Sequence, residues 1–468
     1  MSTDSDAIGL AIEPPARWRD RVRAWSASVA YVRATDTLIA LAAASLPWST
    51  TALAVFMLLW LVAVIPTIDW DQFIADLAQP ALALPIALVV LAVIGVVWSE
   101  TSWAERLQGI KPLGKLLLLP FLLGYFQRSQ RGLWVFLAFL VSCTLLMILS
   151  WIVLALPQLK LAHTASDGVP VKNYLDQSQE FALCAFALAL PALTALRARQ
   201  WRTAAGAIAL MLLFIVNMLY VVSARTALIY MPVLLILFAS LHLSRRATRR
   251  LFAGVAVTSL VVWSTSPYLR QRIADVGIEY RAHDTSGIAS TAQRLTYWRK
   301  SVTFIAGAPW LGHGTGSIRQ MFTQDAVGQT GLQAEVINNP HNQTLNVAIQ
   351  WGLIGIVLLY AMWTSHVRLF AGRDPVTWIG LAVVVQNITS SLLNSHLADF
   401  HEGWIYVIGV GVAGGMALRA RRPEKILADA GGVPHGSTAQ HTRCRPGESQ
   451  GNRMLVYASS CQIEGKRF

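Results

Sequence analysis

Apolar residues occur along the chain in long, nearly uninterrupted runs, with polar and charged residues collected between them. A helix of about 20 predominantly apolar residues crosses the hydrocarbon core of a bilayer. The pattern therefore predicts an all-α polytopic membrane protein with about twelve transmembrane helices. The predicted spans cover residues 37–47, 51–66, 81–98, 113–126, 133–156, 180–196, 203–222, 226–243, 251–266, 343–363, 376–394 and 403–418.

The first two runs are compatible with one long helix over residues 37–66 or with two helices joined at Pro47–Ser49. One helix would suit the acidic loop Asp69–Asp76 as an outer loop, but it would place either the basic amino terminus or the later basic loops on the wrong side. Two helices put all short basic loops in the cytoplasm, as the positive-inside rule requires. These loops contain Arg128/Arg131, Arg197/Arg199/Arg202, Arg245/Arg246/Arg249/Arg250, Arg368/Arg373 and Arg419/Arg421/Arg422.

The spans divide the chain into five parts. Residues 1–36 are basic and lack the apolar core of a signal peptide, so we expect a cytoplasmic segment that orients the protein. Residues 37–266 hold spans 1–9, residues 267–342 form one long helical loop on the periplasmic side, and residues 343–418 hold spans 10–12. Residues 419–468 are predicted to be a disordered cytoplasmic tail.

Composition supports this class of protein. Hydrophobic residues make up 54% of the chain and charged residues only 13%, whereas soluble proteins contain about 25% charged residues. The net charge of +13 is explained by the cytoplasmic loops, so no nucleic-acid partner is expected. Four cysteines in 468 residues exclude a secreted disulfide scaffold. Basic residues in the loop 267–342 favour an anionic partner outside the membrane, with lipid headgroups as the alternative.

The first candidate site lies at Val222–Thr226, where one span ends and the next begins. Ser223 is a plausible N-cap, which would place Arg225 in the first turn of the following helix. A cation is unfavourable at a helix amino end unless an anion binds there, so Arg225 indicates a phosphate site. Arg225 could instead extend to the outer headgroups.

The second candidate site lies in Ser290–Lys300, which is predicted to be an amphipathic helix capped by Ser290 or Thr291. Its apolar positions recur at helical spacing, at Leu295, Trp298 and Val302. Arg294 falls in the predicted first turn, as Arg225 does in its own helix. Two guanidinium groups from different helices could hold a pyrophosphate, although a solvated arginine on an interfacial helix is the ordinary alternative.

The third candidate site is Asn338–Asn342, before the tenth span. Asn339 fits an N-cap and Pro340 the first helical position, which would hold His341 in the first turn. The helix amino end and nearby arginines disfavour imidazolium, so we expect a neutral His341 that can act as a general base. A capping or interfacial histidine is the alternative.

Other polar motifs carry weaker signals. Asp69–Asp71 has the Asp-x-Asp spacing of a metal site but lies on the predicted cytoplasmic side. Gly312–Gly316 is glycine-rich without a surrounding strand–turn–helix unit, so it predicts a turn. A polar group near the last outer turn could bind a metal or orient His341 through a carboxylate, but polar lining of a cavity is favoured; it comprises His396, Asp399, His401 and Glu402.

Four motifs together resemble the O-antigen ligase and O-antigen polymerase superfamily. They are Gln293–Trp298, Trp310–Gly316, Asn339–Asn342 and Trp351–Gly355. The resemblance is specific in residues 220–360 and diffuse over the rest of 35–418. It implies about a dozen spans, one long periplasmic loop and a GT-C-like membrane glycosyltransferase fold.

The resemblance also implies the reaction. Ligases of this superfamily transfer an O-antigen glycan from undecaprenyl pyrophosphate to lipid A–core on the periplasmic face of the inner membrane. Polymerases transfer it to another lipid-linked unit, and a third branch to protein. We expect no cofactor or metal, because Arg225 and Arg294 could neutralise the pyrophosphate. The implied catalytic residues are His341, Arg225 and Arg294, and the expected substrate contacts are Ser223, Arg225, Arg294, Arg299 and Asn342.

The single large outer loop favours the ligase, since many polymerases have a second one. One base without a protein nucleophile predicts single displacement with inversion. Two other classes are a secondary transporter of organic anions, which would place charges near mid-membrane, and a non-catalytic scaffold.

Overall fold

A computed structural model of the protein describes residues 24–430 except for 165, 222, 223, 225, 269, 272, 273 and 275–289. The described residues contain helices and no strand. The chain divides into two units, residues 1–423 and 424–468, and the described part of the second unit, residues 424–430, is helical. The α-helices are α1 (Val29–Ser45), α2 (Thr50–Val64), α3 (Trp70–Asp76), α4 (Pro80–Ile94), α5 (Trp103–Ile110), α6 (Leu118–Phe126), α7 (Gly132–Ala155), α8 (Tyr174–Arg197), α9 (Trp201–Tyr220), α10 (Ala227–His242), α11 (Arg245–Thr265), α12 (Ser290–Gly307), α13 (Ile318–Asp325), α14 (Gln343–Leu369), α15 (Pro375–Ser390) and α16 (Phe400–Ala430).

Each of the twelve predicted spans overlaps one of these helices, and the composition is that of a multi-pass membrane protein. By length and apolarity, seven helical stretches of the described chain can cross a membrane. An eighth would combine α3 and α4, which are bent by 85° relative to each other, while α10 and α15 are shorter apolar helices. The number twelve stays a prediction. The seven stretches are Thr50–Thr67, Trp103–Phe126, Gly132–Ala155, Tyr174–Arg197, Trp201–Tyr220, Gln343–Leu369 and Phe400–Arg421.

Two predicted boundaries differ from the structure, and the predicted division of residues 37–66 is confirmed. Helix α1 begins at Val29, because the Ser28 hydroxyl caps it by accepting the Tyr31 N–H at 3.3 Å, so residues 29–36 are helical. The Ser49 hydroxyl caps α2, which confirms two helices in place of one over 37–66. Helix α16 continues to Ala430, so residues 419–430 are helical where disorder was expected, and 431–468 lie outside the described residues.

The buried core is built from packed helix pairs: α1 with α2 and α7, α8 with α9 and α15, and α4 with α14. Helix α2 shows how one helix serves two environments. Trp60 is fully buried against the bundle, while Leu58 and Leu59 on the other side are exposed, as expected for side chains that face lipid.

Helix α14 is broken at Gly352, whose φ of 57° and ψ of −149° are not helical. The break interrupts the hydrogen bonds between successive turns, and the segment 309–316 of the long loop replaces them. The carbonyls of Ile349 and Gln350 accept from the N–H groups of His313 (2.8 Å) and Gly314 (2.9 Å). The N–H of Leu353 donates to the Pro309 carbonyl at 2.8 Å. An interrupted helix within a membrane bundle is tolerated where protein groups satisfy its backbone in this way.

The glycines of this segment have a steric role. A Cβ on Gly312 would lie 2.5 Å from the carbonyl carbon of Gln350, and one on Gly352 would lie 2.5 Å from that of Trp310. Thr315 extends the contact to α4, since its hydroxyl donates to the Ala92 carbonyl at 2.6 Å. The glycine-rich motif, predicted to be a turn, is therefore the element that joins the long loop to α14 and α4.

Replacing Gly352 by Ala should destabilise the protein by at least about 1–2 kcal/mol, the cost of a side chain in a backbone conformation that favours glycine, with the clash at Trp310 added. The measurement is thermal unfolding or protease resistance of the full chain in detergent.

The matched control is Gly206→Ala in α9, where an added Cβ meets nothing within 4 Å and helix propensity favours alanine. Equal stability of the two variants would contradict a structural role for the break.

Candidate functional site

His341 lies in the turn that precedes α14. Asn342 is the N-cap of this helix, because its Oδ1 accepts the Leu345 N–H at 3.0 Å. The prediction that Asn339 caps the helix, with His341 in its first turn, is therefore wrong: the cap lies three residues later, and His341 precedes it. The physical reason is that Asn339 Oδ1 instead accepts the N–H of His341 at 2.9 Å, which closes a turn before the helix begins.

The backbone of His341 adopts a φ of 54°, in the left-handed region that non-glycine residues rarely occupy. Such a conformation costs about 1–2 kcal/mol and persists only where surrounding contacts hold it. Those contacts are the Asn339 turn and the indole of Trp298, which donates to the Pro340 carbonyl at 3.1 Å. Strained residues of this kind concentrate at functional sites, so the conformation marks His341 as a candidate.

Two hydrogen bonds in series join the His341 ring to a carboxylate. Nδ1 lies 2.8 Å from Asn394 Oδ1, and Asn394 Nδ2 donates to Asp399 Oδ2 at 2.9 Å. A carboxylate accepts hydrogen bonds, so it determines which end of the Asn394 amide faces it. The amide oxygen is left to accept from His341, which places the proton on Nδ1. Nε2 is then the basic atom of the ring.

The segment 391–399, between α15 and α16, is held against the start of α14. The Ser391 carbonyl accepts the Gln343 N–H at 2.9 Å, and the Gln343 side chain accepts the Ala398 N–H at 3.1 Å. From the other side, Lys115 Nζ donates to the carbonyls of Ala398 at 3.0 Å and Asp399 at 2.5 Å. The Asn394–Asp399 pair is thereby supported by two other parts of the bundle.

Helix α12 supplies the other wall of the site. The Tyr297 ring stacks on the His341 ring, with centroids 6.3 Å apart and planes at 29°. The expected helix is present, and Leu295 and Val302 of its apolar positions are exposed. The buried face instead presents Tyr297 and Phe304, because both aromatic rings pack against Phe322 of α13.

The electrostatic environment keeps His341 neutral. Burial lowers the pKa of its imidazole, and the charge of Arg294 lowers it further, against the opposing effects of the Asn394 hydrogen bond and Glu335. The pKa of His341 is therefore lowered as expected, with burial as the largest cause and the charge of Arg294 as a further one. Burial also raises the pKa of Asp399 to about 6, so this carboxyl remains mostly ionised at pH 7.

The other predicted site residues fall into two groups. Arg294 acts electrostatically on His341, whereas Arg299 is exposed, five residues and about 140° further around α12. Ser223 and Arg225 lie outside the described residues. Their predicted roles as cap and first-turn arginine stay predictions, and the described part of the chain has helix α10 starting at Ala227.

The polar group near the last outer turn separates into two sets. Asp399 reaches His341 through Asn394, as described above. His401 instead contacts Glu180 of α8 (Nε2 to Oε1, 2.6 Å) and Lys172 (Nδ1 to Nζ, 2.9 Å). Among the described residues no group of three or more His, Cys, Asp or Glu could hold a metal ion.

Asn394 is the site residue that the sequence did not reveal. It lies 53 positions after His341, and an asparagine in a short polar segment has many ordinary roles. The available signal was the density of polar side chains in 390–402, but no spacing rule connects that segment to His341.

Residues 209–360, about a third of the chain, match the family model described as O-antigen ligase. The matched range includes Arg294 and His341 and ends before the segment 391–399. No curated protein matches the sequence. The match confirms the resemblance to the O-antigen ligase superfamily and supports glycan transfer of the ligase or polymerase type; the apolar helices are those of a multi-pass membrane protein.

Two substitutions should move the His341 pKa in opposite directions. Arg294→Gln removes a positive charge and should raise it toward the usual value, while Asn394→Leu removes a hydrogen bond that favours the protonated ring and should lower it. Diethyl pyrocarbonate modifies the neutral imidazole, so the pH dependence of labelling of the His341 peptide, followed by mass spectrometry, measures both shifts.

Arg319→Gln is the control, because it removes an exposed charge from the same loop and should leave the His341 pKa unchanged. Shifts of one sign in both test variants would contradict the described electrostatics.

Proposed function

We propose that this protein is an O-antigen ligase that transfers a glycan from undecaprenyl pyrophosphate to lipid A–core on the periplasmic face of the inner membrane. The observation that carries the proposal is the fixed, neutral His341 in the turn before α14, whose Nε2 is left as a base. The family match supports the glycan-transfer class of the reaction.

In this proposal, His341 removes the proton from the acceptor hydroxyl as that oxygen attacks the anomeric carbon of the donor sugar. The bond between that carbon and the pyrophosphate oxygen breaks at the same time, and undecaprenyl pyrophosphate leaves with the electron pair. Because one base acts without a covalent intermediate, the product has inverted anomeric configuration. General-base catalysis of this kind contributes about 10²–10⁴-fold to rate.

The leaving pyrophosphate gains negative charge. We propose that Arg225 and Arg294 neutralise this charge. Arg294 is supported by its electrostatic effect on His341. Arg225, which lies outside the described residues, is assigned from the sequence resemblance alone. Arg299, Ser223 and Asn342 remain proposed substrate contacts. With arginines in this role, the reaction needs no metal or cofactor.

The choice of lipid A–core as the acceptor rests on the lengths of the loops between the predicted spans. One hydrophilic segment, 267–342, dominates the connections between the predicted spans, which favours the ligase over a polymerase. A polymerase or a protein O-oligosaccharyltransferase would use the same base and arginines with a different acceptor.

A secondary transporter of organic anions is the alternative of another class. It would place charged residues near the middle of the spans. Asp176 and Glu180 lie in the first two turns of α8, and His401 is the second residue of α16. These titratable groups therefore lie near helix ends, and His341 lies in the turn before α14, which favours a reaction at the membrane surface.

His341→Gln should lower glycan transfer by about 10²–10⁴-fold in a reconstituted assay with lipid-linked donor and lipid A–core, because glutamine cannot take the proton. Donor binding should be retained. His163→Gln, at an exposed position, should keep full activity.

Full turnover of the His341→Gln variant would remove the base assignment. The same assay in EDTA tests the charge assignment: activity should persist, and its loss would show that a metal supplies the charge in place of the arginines.

The acceptor is tested by disrupting the gene in its host and separating lipopolysaccharide on a gel. Loss of a ligase should leave lipid A–core without any O-antigen. Lipid A–core capped by a single repeat unit would instead identify a polymerase, and unchanged lipopolysaccharide with loss of a glycoprotein would identify the protein-directed branch.

A further inference from the structure

A second imidazole lies in the segment that positions His341. His396 is fully buried, two residues after Asn394 and next to Ser395. Asn394 contacts the His341 ring, and the Ser395 hydroxyl donates to Asn339 Oδ1 at 2.7 Å. His396 therefore belongs to the same short segment and directly follows two residues that both contact the turn containing His341.

The position of the proton on His396 follows from a chain of amide groups. Gln386 Nε2 donates to the backbone carbonyl of Gln179 at 2.8 Å, and it also faces Gln179 Oε1 at 2.5 Å. Both oxygens accept, so the amide nitrogen of Gln179 is turned toward His396 Nδ1, 3.0 Å away. The Ser390 hydroxyl also lies 2.9 Å from Nδ1 and can donate to it. Nδ1 is therefore an acceptor, and Nε2 carries the proton.

This assignment gives the two histidines opposite tautomers. His341 has its proton on Nδ1 and a basic Nε2, whereas His396 has a basic Nδ1 that is already occupied and an N–H at Nε2. Burial lowers the pKa of His396 to about 3, with further lowering by Arg294 and His341. The His396 ring thus stays neutral at every physiological pH and serves as a hydrogen-bond donor.

The His396 Nε2–H is buried and has no hydrogen-bond partner within the described part of the chain. Buried N–H groups almost always have an acceptor, so an exception calls for a group that the bundle itself does not supply. The positive charge of Arg294 acts on His396 as it does on His341. A donor in the field of a guanidinium suits an anionic oxygen, the acceptor that forms the strongest hydrogen bonds.

We propose that His396 binds the pyrophosphate of the lipid-linked donor, with its Nε2–H donating to a phosphate oxygen that Arg294 also contacts. The inference rests on the proposed function and adds a specific contact to it. The two imidazoles then have different roles: His341 takes the proton of the acceptor hydroxyl, and His396 binds the pyrophosphate that leaves.

Two substitutions separate substrate binding from packing. In His396→Asn, the side-chain oxygen can replace Nδ1 as the acceptor for Gln179, but no donor reaches the position of Nε2. In His396→Gln, the longer amide can place an N–H near the position of Nε2, but the variant then loses the hydrogen bond from Gln179. A substrate-binding role therefore predicts the greater loss for asparagine, whereas a packing role predicts the greater loss for glutamine.

The experiment measures the Kd of the full-length protein in nanodiscs for undecaprenyl pyrophosphate and for undecaprenol, which has the same tail without phosphate. His396→Asn should weaken undecaprenyl pyrophosphate binding about tenfold or more, as expected for a lost hydrogen bond to a charged group. His396→Gln should recover part of that loss, and undecaprenol binding should change in neither variant.

An unchanged Kd in His396→Asn, an equal loss in both variants, or a parallel loss of undecaprenol binding would overturn the role of His396 while leaving the proposed function intact. If the wild-type protein itself binds undecaprenol as tightly as undecaprenyl pyrophosphate, the proposed donor is wrong and both proposals are overturned together.

Discussion

The architecture depends on satisfying the backbone of one broken helix. At Gly352, α14 loses its regular hydrogen bonds, and each unpaired polar group would cost several kcal/mol in an apolar environment. The segment 309–316 supplies the missing partners with its own backbone. That segment belongs to the long loop. The same contacts therefore bring α12 and its Arg294 to the amino-terminal end of α14, next to His341.

The second constraint is the low polarity of the interior. Burial makes a charged imidazole unfavourable, so both His341 and His396 are held neutral, and their function depends on which nitrogen carries the proton. Each ring is oriented by an amide side chain, Asn394 in one case and Gln179 in the other. An amide has one accepting and one donating end. A carboxylate or carbonyl that accepts from the amide nitrogen therefore fixes the orientation of the amide, and the amide in turn determines which ring nitrogen carries the proton, without adding a charge.

The ends of α8 and α16 are joined by the contacts of His401 with Glu180 and Lys172. Lys172 also donates to the backbone carbonyl of Leu46, so a third part of the bundle is included. Removing one partner of such a buried set leaves a buried polar group without its contact, so the set favours one arrangement of these helix ends. That arrangement holds Gln179, which contacts His396, and the segment 391–399, which contains His396 and contacts His341 through Asn394.

The sequence by itself determined the helical class and the positions of the apolar helices, because hydrophobic runs and their periodicity are local properties of the chain. It also identified His341 and Arg294 as candidates. The tertiary structure decided the rest: the start of α14 at Gln343, the buried face of α12, the role of Gly312–Gly316, and the pairing of His341 with Asn394. Each of these depends on hydrogen bonds or contacts between residues far apart in sequence, and such partners are selected by packing, which local patterns do not encode.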